Sequence, residues 1–171
     1  GDRVGIIGGS GGQSVSMSDD FSRVGLRIPT LADHTLEHMS SFFQLVGASY
    51  FNPIDVGGIN RSNLETILDL LTSDPNVDIV AMMRGAQARR RTREDIISEL
   101  ELYSQARDKT GKPILAMFWS PAPYTDSSLF EDIDKMLQDL GIPSFPTPSR
   151  AARALKKIVD YYRFRDSVDN S

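Results

Sequence analysis

Short apolar runs alternate with longer helical patterns along this sequence, and no other feature constrains its fold as much. The runs that qualify as strands are Arg3–Gly8, Leu26–Ile28, Val77–Met83, Pro113–Trp119 and Pro143–Phe145. The patterns that qualify as helices are Gln13–Val24, Ala32–Val46, Ser62–Leu71, Arg93–Arg107, Ser128–Leu140 and Ser149–Phe164. Because strands recur at helix-length intervals, we predict βαβ units around a parallel sheet that is covered on both faces.

The predicted fold class is α/β: a flavodoxin-like three-layer α/β/α sandwich with a mostly parallel five-stranded sheet. The 171 residues are the length of one ordinary domain, which we place at 1–165 with 166–171 as a C-terminal tail. Thr92 followed by Asp95 approximates a capping box, and Gly111 and Gly141 are each expected to end a helix. In such sheets ligands bind beyond the carboxyl ends of the strands, near the reversal of strand order.

Composition excludes several classes of function. The 19 basic and 23 acidic side chains give a net charge of −4, which argues against nucleic acid or a membrane surface as the partner. The absence of cysteine excludes disulfides and thiolate metal sites. There is no apolar run of about 18 residues and no signal peptide, and we expect a cytoplasmic protein. Because the chain starts at Gly1 and a strand follows at once, we expect it to be a piece of a longer protein.

The stretch GIIGGSGGQSV brings four glycines together between the first strand and the first helix. Glycines let a ligand approach the backbone closely, and the N–H groups at a helix start attract anions. The residues predicted to form this anion site are Gly9, Ser10, Gly11, Gly12, Gln13 and Ser14, with free N–H groups on the last three. The stretch lacks the last glycine of a dinucleotide fingerprint and the Gly-Lys-Ser/Thr of a P-loop. A flavin loop or a simple packing turn remain alternatives.

A second loop, from Gly47 to Gly58, is the longest connection without clear periodicity, and long connections are often functional. A proline stiffens it and two glycines open its backbone. The loop residues predicted to face the same sheet edge are Asn52, Pro53, Asp55, Gly57 and Gly58. An aspartate beside an anion site has to orient N–H groups, hold a protonated partner or contact a metal. Asn-Pro-x-Asp is also a common turn sequence.

Five segments in this order resemble the last flavodoxin-like domain of the NDP-forming acyl-CoA synthetases, which are relatives of succinyl-CoA synthetase. The segments are Ser10-Gly11-Gly12 with Asp19 and Gly25-Leu26, the loop Asn52–Gly58, the strand Lys112–Trp119, the closing strand Gly141–Pro146 and the helical segment Ala151–Leu155. The resemblance covers nearly the whole chain. Gln13 departs from it, because relatives often have a small or apolar residue there.

The resemblance implies an enzyme that joins a carboxylic acid to CoA at the expense of a nucleoside triphosphate, through an acyl phosphate and a phosphohistidine. This domain is implied to supply a helix N-terminus that binds the phosphohistidine or acyl phosphate. The phosphohistidine-bearing, CoA-binding and ATP-grasp domains are implied to lie elsewhere, in the same chain or a partner subunit. CoA, ATP or GTP, and Mg²⁺ therefore belong to the whole enzyme. We expect no catalytic residue, no cofactor and no acyl-CoA synthesis in this chain alone. A stand-alone module for a small anion or flavin, or a purely structural domain, are the alternatives.

Other polar clusters are weighed against simpler explanations. His34 and His38 match an inverted zinc-peptidase motif, but a zinc site needs a third ligand in place. Arg84 ends the third predicted strand and is expected to reach the anion site, whereas the arginines at 89–91 are expected to be solvated. Asp19 and Asp20 lie within a helix pattern and not at a strand end, which argues against a response-regulator acid pair.

Two aromatic segments are also candidates for contacts with a ligand or another domain. The stiff segment Trp119–Tyr124 ends the fourth predicted strand and is expected to wall an acid pocket or to pack against another domain. Tyr161, Tyr162 and Phe164 on the last helix are expected to be core residues or an inter-domain face.

Overall fold

The computed structural model describes residues 1–43, 49–56, 61–85, 92–119 and 127–169. The strands are β1 (Val4–Gly8), β2 (Ile54–Asp55), β3 (Ile79–Gly85), β4 (Ile114–Trp119) and β5 (Ser144–Phe145). The helices are α1 (Gly11–Arg23), α2 (Asp33–Phe42), α3 (Arg61–Ser73), α4 (Arg93–Thr110), α5 (Ser127–Asp139) and α6 (Pro148–Asp169).

The five strands form one sheet in the order β2-β1-β3-β4-β5, and every pair is parallel. Two apolar clusters lie on its two faces. One contains Met17 and Phe21 of α1 with Ala152 and Leu155 of α6. The other joins side chains of α2, α3, α4 and α5, such as Leu100. The predicted three-layer α/β/α fold is therefore confirmed, and the strand order reverses between β1 and β3.

The second predicted strand was wrong. Leu26–Ile28 contributes only a single bridge, between Arg27 and Arg3, and the chain then leaves the sheet. The strand beside β1 is instead Ile54–Asp55, which pairs with Ile7 and Gly8. Two physical causes concealed this arrangement. Pro29 prevents the first segment from continuing as a ladder, and β2 is too short to show a period of two.

The helix ends follow the predicted caps with two corrections. Thr92 and Asp95 form a capping box, and Gly111 and Gly141 adopt positive φ of 71° and 68° at the predicted helix ends. The helix predicted to reach Val46 ends at Phe42, and 44–48 lie outside the described residues. The predicted tail at 166–171 is helical through Asp169.

Side-chain contacts explain why α6 extends to Asp169, beyond the predicted start of the tail at 166. Arg163 forms an ion pair of 2.5 Å with the buried Asp2 of the amino-terminal segment. The guanidinium of Arg165 lies 4.6 Å from the centre of the Tyr162 ring. Contacts between residues three and four apart, together with an anchor on the body of the domain, stabilise helical turns beyond the last buried residue.

Arg3 and Asp78 connect the start of β1 to the segment before β3. The carboxylate of Asp78 accepts hydrogen bonds from the Arg3 backbone N–H at 3.0 Å and from its guanidinium at 2.7 and 3.0 Å. The hydrogen bond from the Arg3 side chain lowers the pKa of Asp78 to about 2, although partial burial opposes this shift. The charged pair therefore ties two neighbouring strand starts together at the amino edge of the sheet.

We expect Asp78→Asn to destabilise the protein at neutral pH and to lose this effect in acid. Because the folded-state pKa lies below the unfolded value of 3.8, the contribution is complete above that value and disappears as the pH falls through about 2. Urea midpoints of both proteins at pH 7, 4 and 2 test this. A difference in midpoint that stays constant over that range would contradict the ion-pair explanation.

Candidate functional site

The glycine stretch forms the turn between β1 and α1 at the carboxyl edge of the sheet. Ser10 has extended backbone and precedes the helix as its N-cap, but its side chain makes no capping hydrogen bond. The backbone N–H of Ser14 donates to the Ser10 carbonyl at 2.9 Å and so closes the first helical turn. Among the described residues, the N–H groups of Gly11, Gly12 and Gln13 have no acceptor.

Ser14 does not present a free N–H group, which corrects the prediction. Its hydroxyl donates to the Ser10 carbonyl at 3.1 Å, and the residue is only 3 % exposed. Ser14 packs so closely on Gly8 that a side chain at Gly8 would overlap its Oγ. The N–H groups available at the helix start are therefore those of Gly11, Gly12 and Gln13, one residue earlier than predicted.

Asp55 lies beside this helix start. It ends β2 and pairs with Gly8, the last residue of β1. A Cβ atom built on Gly11 would lie 3.4 Å from Asp55 Oδ2. The carboxylate is therefore next to the first turn of α1, and the residue is buried. The first turn of α1 contains no acidic residue, so Asp55 is the carboxylate that the described fold brings to this helix end.

Asn52 belongs to the same loop as Asp55 but lies further from the carboxyl edge of the sheet. Its Oδ1 accepts a hydrogen bond from the Ile6 N–H at 2.9 Å, and its Nδ2 donates to the carbonyls of Val4 at 3.0 Å and Pro29 at 2.9 Å. Two of these partners are the first and the middle residue of β1, and the third follows the Arg27 bridge, so none is at the carboxyl end of the strand. Its amide is therefore bonded to this chain's own backbone, which corrects the expectation that it faces the glycine turn. Pro53 follows through a cis peptide bond.

The remaining predicted site residues are only partly placed. Gly9 is half-buried in the turn after β1. Arg84 is the penultimate residue of β3 and pairs with Phe118 of β4, so its backbone is at the carboxyl edge near the reversal of strand order. Gly57 and Gly58 lie outside the described residues, as do the arginines at 89–91 and most of the segment 119–124.

The structure also places residues from several other clusters. Among the described residues, no three His, Cys, Asp or Glu side chains are close enough together to bind a metal ion. His38 instead packs edge-on against Phe42, with ring centres 6.2 Å apart. Asp20 lies within α1 and pairs with Arg23 at 3.5 Å. On α6, Tyr161 and Phe164 are 61 % and 68 % exposed, which excludes a core role and leaves the inter-domain role as a prediction.

Sequence reasoning missed a row of aromatic rings that leads to Asn52. Phe42, Phe43, Tyr50 and Phe51 follow one another with ring centres 4.7 to 5.9 Å apart. Phe51 is 54 % exposed and stacks on Tyr50 at 25°. The two aromatic pairs lie on either side of residues 44–49 in the sequence, and this repetition was the available signal.

No family model matches this chain. Two curated proteins are similar to it in sequence. The alpha subunit of ADP-forming acetate–CoA ligase II from Pyrococcus furiosus is 28 % identical over 160 residues, which are 93 % of this chain and 34 % of the relative. ADP-forming acetate–CoA ligase I from Archaeoglobus fulgidus is 24 % identical over 157 residues, which are 91 % of this chain and 20 % of the relative. This chain is a homologue of the ADP-forming acetate–CoA ligases.

Solved structures agree with this relationship. PH0766 from Pyrococcus horikoshii OT3 superimposes with a TM-score of 0.76 at 28 % identity, over 91 % of this chain and 34 % of that protein. The dinucleotide-forming acetyl-coenzyme A synthetase 1 of Ca. Korarchaeum cryptofilum gives a TM-score of 0.77 at 22 % identity, over 99 % of this chain and 35 % of that protein. The second comparison supports the fold.

The ADP-forming acetate–CoA ligases are longer than this chain. The chain spans about a third of the length of the Pyrococcus relative and a fifth of the Archaeoglobus relative. The greater part of each relative therefore lies outside the match. In the described part of this chain, no helix is both long and apolar enough to cross a membrane.

Proposed function

We propose that this chain is the domain of an NDP-forming acyl-CoA synthetase that binds a phosphoryl group at the first turn of α1. The whole enzyme would convert an acid, CoA and a nucleoside triphosphate into acyl-CoA, a nucleoside diphosphate and phosphate. The observation that carries the proposal is the set of three N–H groups, of Gly11, Gly12 and Gln13, left without acceptors at an exposed helix end. The similarity to ADP-forming acetate–CoA ligases supports the enzyme class.

Backbone N–H groups suit a phosphoryl group that is handed from one partner to another. They carry partial positive charge that does not titrate, and the helix dipole adds to it. Phosphoryl transfer depends mainly on positioning and on neutralising charge, which fixed donors supply without rearrangement. Glycines at the first two helical positions leave the approach to these donors open. The hydroxyl of Ser10 is exposed beside them and can add a further donor.

Asp55 gives the site a preference among anions. A carboxylate repels an anion without protons, but it accepts a hydrogen bond from a phosphoryl group that retains a proton or from the N–H of an imidazole bearing a phosphoryl group. We assign Asp55 this acceptor role. In this proposal Pro53, Gly57 and Gly58 shape the loop around it, and Arg84 adds positive charge from the end of β3.

The proposal requires partners. CoA, the nucleotide with Mg²⁺, and the histidine would be held by CoA-binding, ATP-grasp and phosphohistidine-bearing domains, in the same chain or in a partner subunit. The acid or acyl phosphate would bind between those domains and the first turn of α1. The exposed side chains Tyr161, Phe164 and Val168 follow one face of α6 and offer an apolar contact for one of these domains.

A stand-alone module that binds a flavin or a small anion is the second candidate. The strand order β2-β1-β3-β4-β5 is one in which FMN binds at the reversal between β1 and β3. Flavin absorbance in the purified protein would favour this candidate. A colourless protein that binds phosphate favours the synthetase domain.

Inorganic phosphate should bind at the first turn of α1 and be preferred over sulfate. Titration followed by ¹H–¹⁵N NMR should shift the amides of Gly11, Gly12 and Gln13 first. In Asp55→Asn the ratio of phosphate affinity to sulfate affinity should fall by about tenfold, because sulfate escapes repulsion while phosphate loses an acceptor.

The matched control is Asp33→Asn, which removes the same charge from the first turn of another helix. It should leave the phosphate-to-sulfate ratio unchanged. Saturating phosphate that shifts none of the three amides would refute the binding site. A ratio that does not change in Asp55→Asn would refute the acceptor role.

A further inference from the structure

The edge of β1 beside β2 is completed by three groups from two segments of the chain. At the start of the strand, the Val4 N–H donates to the Arg27 carbonyl at 2.8 Å. At its end, the Gly8 carbonyl accepts from the Val56 N–H at 3.0 Å. Between them, the side chain of Asn52 bonds the Val4 carbonyl and the Ile6 N–H. The amide of one side chain thus occupies the place of a strand residue.

This arrangement follows from the route of the chain. The segment at Arg27 leaves the sheet after one bridge, and β2 starts only at Ile54. A gap remains along β1, at residues that are fully buried. Buried N–H and C=O groups without partners are costly, so the gap has to be filled. The amide of Asn52 fills it and also donates to the carbonyl of Pro29, which holds the departing segment.

Only an asparagine suits this position. The gap needs an acceptor for the Ile6 N–H and donors for the carbonyls of Val4 and Pro29, from one short side chain. An aspartate keeps the acceptor but places an oxygen against two carbonyls. A glutamine carries the right groups on a stem that is one carbon too long.

We infer that Asn52 is a positioning residue that sets Asp55 against the first turn of α1. Only two residues separate them in sequence, and the bonds of Asn52 fix the point at which the chain enters β2 relative to β1. The pairing of Asp55 with Gly8 then brings its carboxylate beside Gly11. The geometric part of this inference, that Asn52 positions Asp55, is independent of the proposed function. Its consequence, a preference for a protonated phosphoryl group, rests on the proposed function.

The test compares Asn52→Ala with Asn76→Ala. Asn76 is a matched control because its Nδ2 also bonds the segment before α2, at the carbonyl of Thr30, but it does not touch β1. Without any ligand, Asn52→Ala should shift the amide signals of Asp55, Gly11 and Gly12, and Asn76→Ala should not. With ligands, the phosphate-to-sulfate affinity ratio should fall by about fivefold in Asn52→Ala alone, since a misaligned acceptor loses most of one hydrogen bond.

Each result decides one of the two claims. If Asn52→Ala leaves the amides of Asp55, Gly11 and Gly12 unchanged, the positioning role is overturned even where phosphate binds. If wild type binds no phosphate, the proposed function fails, and the ligand-free shifts alone decide the positioning role. If Asn52→Ala does not fold, Asn52→Asp replaces it, because its carboxylate still accepts from Ile6; the same amide shifts are expected, and their absence overturns the inference.

Discussion

Gly8→Ala is expected to destabilise the protein by about 2–3 kcal/mol, the range for overpacking a well-filled interior. A Cβ at this position would overlap Ser14 Oγ and lie 3.1 Å from Ser14 Cα. Ser14 is buried and bonded to Ser10, so its hydroxyl has little room to turn away. The backbone of α1 therefore has to move away from the end of β1, and the first helical turn moves with it.

Two further variants make this prediction specific. Gly12→Ala is the matched control, because a Cβ there meets nothing within 4 Å, and it should change stability by less than about 1 kcal/mol. Ser14→Gly combined with Gly8→Ala should recover part of the loss, because the overlapping Oγ is gone. Urea unfolding of the single variants and the double variant gives the coupling energy. Equal effects of Gly8→Ala and Gly12→Ala would show that the close contact with Ser14 does not limit the position.

The regular part of the fold could be predicted because its signals are local or periodic. The helices that became α1, α3, α4 and α5 carry apolar spacing or caps within a few residues of their ends, such as Thr92 with Asp95 and the glycine at 141. The buried strands β3 and β4 are continuous apolar runs, which parallel sheets require. These signals depend on neighbours along the chain, and so a single sequence contains them.

The edge of the sheet at β2 could not be predicted because its causes are contacts distant in sequence. Leu26–Ile28 is as apolar as a strand, yet the partners that complete the edge of β1 lie 46 and 48 residues beyond Ile6 and Val4, in the side chain of Asn52. An asparagine followed by a proline predicts a turn. No neighbouring residue indicates that the side-chain amide of Asn52 replaces a strand residue.

The position of the helix start at the candidate site could be predicted, but its exact first residue could not. Glycines before an amphipathic segment predict a helix start at which anions can bind, and the structure has α1 beginning there, at Gly11. Which N–H groups remain without acceptors depends on the first helical residue. A difference of two residues in that start removed Ser14 from the set and added Gly11. The exact end residues of a helix are difficult to predict from local sequence, because packing against the rest of the fold decides them.

Asp74→Ala is expected to destabilise the protein by about 3 kcal/mol, since two partly buried backbone N–H groups lose their acceptor. Asp74 follows α3 and is fully buried. Its carboxylate accepts from the backbone N–H groups of Ala32 at 2.9 Å and Asn76 at 2.7 Å. Ala32 is the N-cap residue of α2, so this carboxylate anchors the start of one helix to the end of another.

Lys112 adds to the cost of this substitution. Its Nζ donates to the Asp74 carbonyl at 2.6 Å, and burial lowers the pKa of Lys112 while the charge of Asp74 opposes that shift. Without the carboxylate, burial acts on the ammonium group with less compensation. The pKa of Lys112 should therefore fall further in Asp74→Ala, which ¹⁵N NMR of the ammonium group can measure.

Asp69→Ala is the matched control, five positions earlier in the same region of the chain. Asp69 pairs with Lys109 at 2.6 Å, but the side chains are 41 % and 60 % exposed. Exposed pairs contribute little, so this variant should cost less than about 1 kcal/mol. Urea midpoints of the two variants should therefore differ clearly. Similar midpoints would show that the bonds of Asp74 to Ala32 and Asn76 stabilise the fold no more than a surface ion pair does. In that case hydrogen exchange at the amides of Ala32 and Asn76 would also be unchanged.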